Sequence, residues 1–234
     1  FGADDIRLAD ISSGQKHLPP RLQKLVSEQP ALNKCVKLLD SLGMVEFDSD
    51  QGRISMHPVV QRLTQQWMAL PGEQMPAGRT TIMMRIAGQK EDKMSIHDWR
   101  QQSLNLLANA LPEEASDPQN WSEYNRLMPH AFAVLQYTQG NPELGKEVAR
   151  LQSRVGEYLE VRGLHAEACQ VLQLALQAGG AAFGAKDNQL AGIEKLMGKA
   201  LWGLGKLPEA RVHLERALAL DQAQFKGPST VVSR

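Results

Sequence analysis

Two stretches of the chain repeat each other: VGEYLEVRGLHAEACQVLQLALQAGGAAF over residues 155–183 and MGKALWGLGKLPEARVHLERALALDQAQF over residues 197–225. Gly163 aligns with Gly205 and Phe183 with Phe225, so the copies lie 42 residues apart. The other shared positions are small or apolar: Gly156/Gly198, Leu159/Leu201, Ala168/Ala210, Leu172/Leu214, Ala175/Ala217 and Leu176/Leu218. Such a period is typical of an α-solenoid, in which small residues let paired helices approach closely and leucines fill the space between pairs.

The second copy is predicted to end in an exposed apolar face. The two helix pairs are expected at about residues 145–184 and 187–226. A solenoid buries the apolar face of each pair against the next, and needs about three units plus a polar cap to be stable and soluble. The second copy contributes Leu201, Leu204, Leu214 and Leu218, and no further unit is readable. We therefore expect residues 190–225 to expose an apolar face, the chain to self-associate, and the sequence to belong to a longer polypeptide.

Residues 1–70 show a different order of elements. PALNKCVKLLDSLG (residues 30–43) has apolar residues at helical spacing, with Pro30 suited to a first helical turn and Gly43 to the position after the last. MVEF and RISM alternate apolar and polar residues on either side of the turn DSDQG, which predicts a β-hairpin. Pro58 can then begin another helix. Helices, a two-stranded wing and another helix are the order of a winged-helix module.

Residues 71–144 are predicted to be a helical spacer. HDWRQQSLNLLANAL (residues 97–111) and WSEYNRLMPHAFAVLQY (residues 121–137) both have apolar residues at helical spacing. Pro129 is expected to kink the second helix or to begin a new one. The predicted fold class is therefore mainly α: a winged-helix module with a small β-hairpin, an α-helical spacer, and an α-solenoid of helix pairs over residues 145–234.

The composition excludes several classes of protein. Lys plus Arg number 26 and Asp plus Glu number 26, so the formal net charge is zero, whereas a dedicated nucleic-acid or membrane-surface binder has a basic excess. The two cysteines, Cys35 and Cys169, lie in unrelated segments, which predicts neither a disulfide framework nor a metal cluster. The sequence has no transmembrane run and no recognisable signal peptide, so no membrane contact and a cytoplasmic location are predicted.

No catalytic or phosphate-binding motif is recognisable. GEQMPAGRT (residues 72–80) comes nearest to the phosphate loop G-x-x-x-x-G-K-[ST], but it has one residue too many between the glycines and arginine in place of lysine. The histidines other than His57 are scattered, and neither cysteine has a base beside it in the sequence. We predict that the chain is not an enzyme and that it holds no metal and no cofactor of its own.

Both halves of the chain resemble known families. The pattern G-xx-L-xxx-G-xxxx-A-xxx-L-xx-AL, which begins at Gly156 and again at Gly198, resembles the tetratricopeptide signature, and the interval is similar to that of the long repeats in kinesin light chains. The front half resembles the winged-helix module of STAND signalling ATPases, the NB-ARC or NLR-like nucleotide switches, in which the joint from strand to helix contains a histidine. Here that joint reads MHPVVQ, residues 56–61.

This combination looks like the C-terminal part of an NB-ARC–tetratricopeptide protein. The resemblance implies signal transduction of the kind found in innate immunity, with a protein or peptide ligand on the repeats. It also implies an upstream NB-ARC domain in the same polypeptide that binds ADP or ATP. The chain itself would then be the regulatory and sensor portion of the switch.

His57 is the one residue singled out for a binding role, and it has two interpretations. In the family that the chain resembles, the matching histidine reaches the diphosphate of a nucleotide held by the ATPase domain. An imidazole N–H can donate to a phosphate oxygen, and the adjoining helix N-terminus favours anions. From the residues alone, His57 can equally be a cap for the helix that begins at Pro58, and both interpretations stay open.

Two other functions fit the sequence. The first is a tetratricopeptide adaptor unrelated to nucleotides, in which the front module is a structural cap. The second is a winged-helix transcriptional regulator, which would need cations on its recognition helix. The candidate helix has Lys34 and Lys37 against Asp40, and the turn DSDQGR has two aspartates and one arginine. So few cations argue against nucleic acid as the partner.

Overall fold

The computed structural model describes residues 5–18, 20–62, 96–183 and 188–225. These residues fall into two compact units, residues 1–110 and residues 111–234. The predicted fold class is confirmed, because the chain is mainly helical with a small antiparallel sheet near the N-terminus and paired helices toward the C-terminus. The predicted spacer, residues 71–144, is divided between the two units.

In the first unit, short helices precede a hairpin. The elements are strand β1 (Ile6–Arg7), helix α1 (Leu8–Ser13), a 3₁₀ turn (Gln15–His17), helices α2 (Pro20–Ser27) and α3 (Gln29–Ser41), strands β2 (Val45–Asp48) and β3 (Arg53–Met56), and helix α4 (Ile96–Ala110). Residues 58–62 are also helical. Pro30 lies in the first turn of α3, as predicted, since a backbone N–H would have no partner within the helix there.

Strands β2 and β3 form the predicted hairpin, with Val45 opposite Met56 and Asp48 opposite Arg53. The Asp48 Oδ1 atom accepts hydrogen bonds from the backbone N–H groups of Asp50 and Gln51, at 3.0 and 3.1 Å. An aspartate side chain that bonds the backbone in this way stabilises a turn. The side chain of Asp48 therefore stabilises the turn of the hairpin.

The sheet has a third strand that the sequence analysis does not predict. Strand β1 pairs with β3 in antiparallel fashion, with Ile6 opposite Ile54, so the strand order is β1-β3-β2. Beside this pairing, Arg53 Nη1 lies 3.0 Å from Asp5 Oδ1. A strand of two residues is too short for an alternating apolar pattern to be recognised.

An apolar core joins the short helices of the first unit to its sheet. Its buried side chains come mostly from helices, with partly buried side chains added from the helices and the sheet: Leu8, Leu18, Val26, Leu32, Val36 and Leu106, then Ile11, Leu22, Phe47 and Ile54. Gly14 lies directly against Leu106 of α4, where an added Cβ would collide with the leucine side chain. Helix α4, predicted as part of the spacer, therefore packs into the N-terminal unit.

In the second unit, all regular secondary structure among the described residues is helical. Its elements are a 3₁₀ turn (Pro118–Asn120), α5 (Trp121–Thr138), a second 3₁₀ turn (Pro142–Leu144), α6 (Gly145–Val161), α7 (His165–Ala182), α8 (Asn188–Gly203) and α9 (Leu207–Phe225). Helix α6 pairs with α7 and α8 with α9, while α8 also packs on α7 and α5 packs on α6. Pro129 lies inside α5, which continues to Thr138, so it does not begin a new helix.

The matched glycines and leucines meet inside each helix pair. A Cβ on Gly156 would lie 2.6 Å from the side chain of Leu172, and a Cβ on Gly198 would lie 2.6 Å from that of Leu214. The turns between the paired helices are also alike, since Gly163 and Gly205 have φ angles of +76° and +75°. This left-handed conformation ends a helix with little strain only at glycine. The residues that repeat in the sequence therefore make equivalent contacts in the two helix pairs.

Replacing Gly156 by alanine should lower the free energy of unfolding by about 1–3 kcal/mol, the usual cost of overpacking a well-filled interior. The matched control is Gly192→Ala in α8. Gly192 is exposed, and an added Cβ there would have no atom within 4 Å. That change should raise stability by roughly 0.5–1 kcal/mol, since alanine is the better helix former.

Urea unfolding followed by circular dichroism at 222 nm measures both variants under the same conditions. If Gly156→Ala proves as stable as Gly192→Ala, glycine is not needed at position 156 for the close approach of α6 to Leu172.

Candidate functional site

His57 lies at the joint between β3 and the helical residues 58–62. Its backbone N–H donates to the carbonyl oxygen of Met44 at 3.2 Å, and its own carbonyl accepts from the Gln61 N–H at 3.0 Å. The imidazole Nδ1 accepts a hydrogen bond from the backbone N–H of Val59 at 3.3 Å. His57 is therefore a helix cap, because its side chain satisfies one of the N–H groups that the first turn leaves without a partner.

Among the described residues, the other ring nitrogen, Nε2, has no hydrogen-bond partner. Since Nδ1 accepts, the neutral imidazole has its proton on Nε2, and His57 as a whole is exposed. Capping and donation to a phosphate therefore use different ring atoms and are compatible. The nucleotide-binding role of His57 stays a prediction. The predicted continuation of this helix through Leu63 and Trp67, and the loop at residues 72–80, lie outside the described residues.

Helix α3 presents apolar side chains to solvent as well as lysines. Lys34, Leu38 and Leu42 follow each other at intervals of four, and Leu38 and Leu42 are 59% and 63% exposed. In the wing, the cation Arg53 is ion-paired with Asp5. A surface with exposed leucines and with its wing arginine paired suits a protein contact better than a phosphate backbone.

Helices α6 and α8 together present a surface that we call the basic face, consisting of Lys146, Arg150, Lys195 and Lys199. All four cations are exposed. The acidic residues of these two helices, in contrast, are only partly exposed: Glu147, Glu157, Glu160 and Glu194. Two residues four apart lie on one side of a helix, so each pair of cations projects together.

The two helices that carry the basic face are in contact with each other. Lys146 and Arg150 begin a stripe on α6 that continues through Ser153 and Glu157, and the repeat aligns these last two positions with Lys195 and Lys199. Helix α6 contacts α8 directly, and Arg150 Nε donates to Gln189 Oε1 of α8 at 2.9 Å. The first helices of both pairs are therefore adjacent, and each contributes two exposed cations.

The C-terminal pair contains an open groove of about 310 Å³, which we call the terminal groove. It is lined by Trp202, Leu207, Ala210, Arg211, Leu214, Glu215 and Leu218. Trp202, Leu214 and Leu218 are 69%, 42% and 57% exposed. Among the described residues this confirms the predicted apolar face over residues 190–225, although Leu201 is buried inside the pair and does not contribute to it.

The equivalent face of α7 is covered. Leu172, which the repeat aligns with Leu214, has no exposed surface, and the same holds for Ala168. His165, which aligns with Leu207, lies so close to Gly203 of α8 that an added Cβ would fall 2.5 Å from its imidazole. The aligned leucines thus differ: Leu172 is core in the first pair, where α8 packs on α7, whereas Leu214 is 42% exposed in the second pair.

A cluster of aromatic and arginine side chains joins α5 to α6. The rings of Tyr124 and Tyr158 are stacked, with their centroids 4.5 Å apart and an interplanar angle of 4°. The Arg162 guanidinium lies 4.8 Å from the centroid of the Trp121 ring, and its Nη1 donates to the Tyr158 hydroxyl at 2.8 Å. Cation–π and hydrogen-bond contacts of this kind hold the two helices together.

The same cluster anchors the residues that precede α5. The Tyr124 hydroxyl donates to the carbonyl oxygen of Pro112 at 2.8 Å, and Arg154 donates to the carbonyls of Leu111 and Pro112. Burial raises the pKa of Tyr124 above its ordinary value, with Arg154 acting in the opposite direction. This tyrosine is a structural group that the fold keeps protonated.

Sequence reasoning did not identify this cluster, although the repeat contains a signal for it. Three residues that are four apart, in α6 and at its C-cap, differ in character from their aligned partners in the second pair: Arg154/Leu196, Tyr158/Ala200 and Arg162/Leu204. A stripe that departs from the repeat indicates a different neighbour, and α6 packs on α5 where α8 packs on α7.

Metal and thiol chemistry find little support in the part of the chain that is described. No group of three or more His, Cys, Asp or Glu residues there is arranged to hold a metal ion. Cys35 and Cys169 are free thiols, and burial raises the pKa of Cys169, which makes its nucleophilic thiolate form scarcer. His213 is partly buried and contacts the Glu194 carboxylate of the paired helix.

Within the described ranges, no helix is long and apolar enough to cross a membrane.

Comparison with known proteins identifies one region. A tetratricopeptide repeat family matches residues 147–223, which run from the first turn of α6 to the last turn of α9. No curated protein and no solved structure matches the chain. Residues 147–223 are therefore a tetratricopeptide repeat region, as the sequence predicts, and repeats of this kind generally offer surfaces for protein partners.

Proposed function

We propose that the chain is the non-catalytic sensor and regulatory portion of a STAND-type, nucleotide-dependent signalling switch. The repeats bind a protein or peptide ligand, and the N-terminal unit couples that event to an NB-ARC ATPase domain in the same polypeptide. The observation that carries this proposal is the tetratricopeptide region at residues 147–223 with its exposed basic face. Such a switch operates in the cytoplasm.

The basic face supports an acidic peptide or protein segment as the ligand. Its four exposed cations have no equally exposed carboxylate on the same two helices. Lysine and arginine bind carboxylates through charge-assisted hydrogen bonds, which are about twice as strong as neutral ones. A ligand that lies along α6 and α8 would contact both repeats at once, so that its binding depends on their relative position.

The arrangement of the first unit supports the coupling role. Helices lead into a hairpin whose second strand is the centre of a three-stranded sheet, an order similar to that of a winged helix. Helix α3 and its C-cap expose Leu38 and Leu42 for a protein contact. His57 is exposed at the end of β3 with Nε2 available to donate. In this proposal, His57 donates to the diphosphate of ADP bound by the NB-ARC domain and stabilises the resting state.

A plain tetratricopeptide adaptor is the second candidate. It is favoured by the family match, which covers the repeats and none of residues 1–146. In an adaptor the first unit would need no nucleotide, and His57 would be a cap alone. DNA binding has less support, since Arg53 of the wing is paired with Asp5.

The two candidates differ in what His57 does in a longer polypeptide with an NB-ARC domain ahead of this chain. There, His57→Ala should speed ADP release about tenfold to a hundredfold, the equivalent of about 1.5–3 kcal/mol for a hydrogen bond to a charged group. Release of a fluorescent ADP analogue measures the rate. The present chain alone should show no ADP binding by calorimetry at micromolar concentrations, because one histidine supplies only a small part of a nucleotide site.

His57→Ser is the matched control, since serine also caps helices but has no imidazole. We expect both variants to release ADP faster and only His57→Ala to lower the melting temperature. If His57→Ser retains ADP as well as the unchanged protein does, the histidine is a cap and the nucleotide-sensing proposal is wrong. If the adaptor proposal is correct, neither variant alters binding of a peptide to the repeats.

A further inference from the structure

The terminal groove has the form of a surface that holds a helix. Its counterpart on α7 is occupied by α8, which reduces the exposed surface of Leu172 to zero and brings Gly203 against His165. Leu214 and Leu207 occupy the aligned positions on α9 and are 42% and 56% exposed. Since the backbone of each pair repeats the other, a helix of similar size fits on α9 where α8 fits on α7.

A charged pair borders the apolar stripe on α9. Arg211 Nε lies 2.6 Å from Glu215 Oε1, one turn further along the helix, and both side chains line the groove. They are mostly in solvent, with 79% and 60% of their surfaces exposed. An ion pair so exposed is weak and can exchange partners at little cost.

The leucines along this stripe are placed nearly symmetrically about its middle, and the two charged residues on either side of the middle have opposite signs. The centre of the stripe lies near residue 213. Leu207 and Leu218 are outermost, Arg211 and Glu215 lie on either side of the centre, and Leu214 lies close to it. When two such helices pack face to face and antiparallel, Arg211 of each lies level with Glu215 of the other. Leu207 lies near Leu218 of the other copy, and the two Leu214 side chains meet at the centre.

From this self-complementarity we propose that the occupant of the terminal groove is a second copy of this chain, joined through an antiparallel, two-fold pairing of α9 with α9. A two-fold interface uses the same patch on both subunits, so every contact is made twice. Two ion pairs form between the copies in place of one within each copy. The leucines and Trp202 lose contact with water, and this burial is the main source of the affinity.

This inference goes beyond the proposed function and does not depend on it, because the interface uses neither His57 nor the basic face. In a signalling switch, the pairing would bring together two repeat arrays through their C-terminal ends. An adaptor would gain two ligand-binding surfaces in one particle by the same contact.

Sedimentation equilibrium on the full chain, over a concentration range from about 1 to several hundred micromolar, tests the proposal. We expect a monomer–dimer equilibrium with a dissociation constant on the order of tens of micromolar, as for a small, transient interface. Leu218→Glu should abolish the dimer. The matched control is Val212→Glu, because Val212 is 45% exposed on the same helix but does not line the groove, and this variant should dimerise normally.

A charge exchange tests the antiparallel register. Arg211→Glu and Glu215→Arg each place like charges opposite one another, so either variant alone should dimerise at least about tenfold more weakly. An equimolar mixture of the two should form a heterodimer with affinity near that of the unchanged chain, because Glu at 211 then faces Arg at 215. Within each helix, residues 211 and 215 still repel each other in the mixture. A recovered affinity therefore reports contacts between the two copies.

Three results would overturn the proposal. One is a strictly monomeric chain at every concentration, which would assign the groove to a further helical repeat or to another protein. Another is a dimer that Leu218→Glu leaves intact. The third is a mixture that associates no better than its two components.

Discussion

Replacing Leu172 by alanine should lower the free energy of unfolding by about 2–5 kcal/mol, because the change leaves a cavity in a fully packed interior. The side chain has no exposed surface and packs where Gly156 lets the two helices approach. Leu214→Ala is its matched control at the aligned position of the second pair. With 42% of Leu214 exposed, it should cost only about 1 kcal/mol, since less apolar surface is lost and solvent reaches the site.

Urea unfolding of both variants measures this difference. The protein concentration must lie well below any dimer dissociation constant, because Leu214 also lines the terminal groove. Equal losses of stability at the two positions would show that the second pair is as well covered in solution as the first. Both the exposed groove and the inference drawn from it would then be wrong.

Tyr124→Ala should cost about 3–5 kcal/mol, the range for deleting a large aromatic side chain from a core. The ring is completely buried and stacked on Tyr158, so its loss leaves a cavity between α5 and α6. Phe132→Ala on the same helix is the control, because Phe132 is 47% exposed and should cost about 1 kcal/mol or less. Thermal and urea unfolding measure both.

Tyr124→Phe separates the ring from its hydroxyl. Loss of the hydrogen bond to the Pro112 carbonyl should cost about 1 kcal/mol near neutral pH, with Arg154 still donating to that carbonyl. Because burial raises the pKa of Tyr124, the folded state resists its ionisation, and stability falls as the pH rises past the ordinary tyrosine value of 10.0. The phenylalanine variant should lose less stability over that range. An identical alkaline profile in both proteins would mean that another group controls it.

The helical repeat was predictable because its signal is local and occurs twice. Small residues at Gly156 and Gly198, and leucines sixteen residues later, recur at one interval, and the structure brings each glycine against its leucine. The hairpin was predictable for a similar reason, since alternating strands and a turn of polar residues lie close together in the chain. The turns at Gly163 and Gly205 follow from the only residue that adopts their backbone conformation easily.

Other features could not be predicted from local patterns. Strand β1 has two residues and forms only because β3 offers an unpaired edge to Ile6 and Arg7. The cluster of Trp121, Tyr124, Tyr158 and Arg162 joins side chains from two helices. The sequence of one helix does not show which side chain of the other helix it contacts. For His57, the sequence suggested a cap and a phosphate ligand as alternatives. The structure shows the cap, which uses Nδ1 and leaves Nε2 without a partner among the described residues, so the two roles are compatible.

Periodicity and the 42-residue interval were thus sufficient to establish the helix pairs, their order and the residues that face inward within each pair. Only the tertiary structure decided which faces of those pairs meet water. Leu172 and Leu214 occupy aligned positions of the repeat and each faces an aligned glycine, yet one is buried and the other is 42% exposed. The reason is physical: helix formation depends on neighbours along the chain, whereas burial depends on whether another element packs on the face, as α8 does on α7 and no described element does on α9.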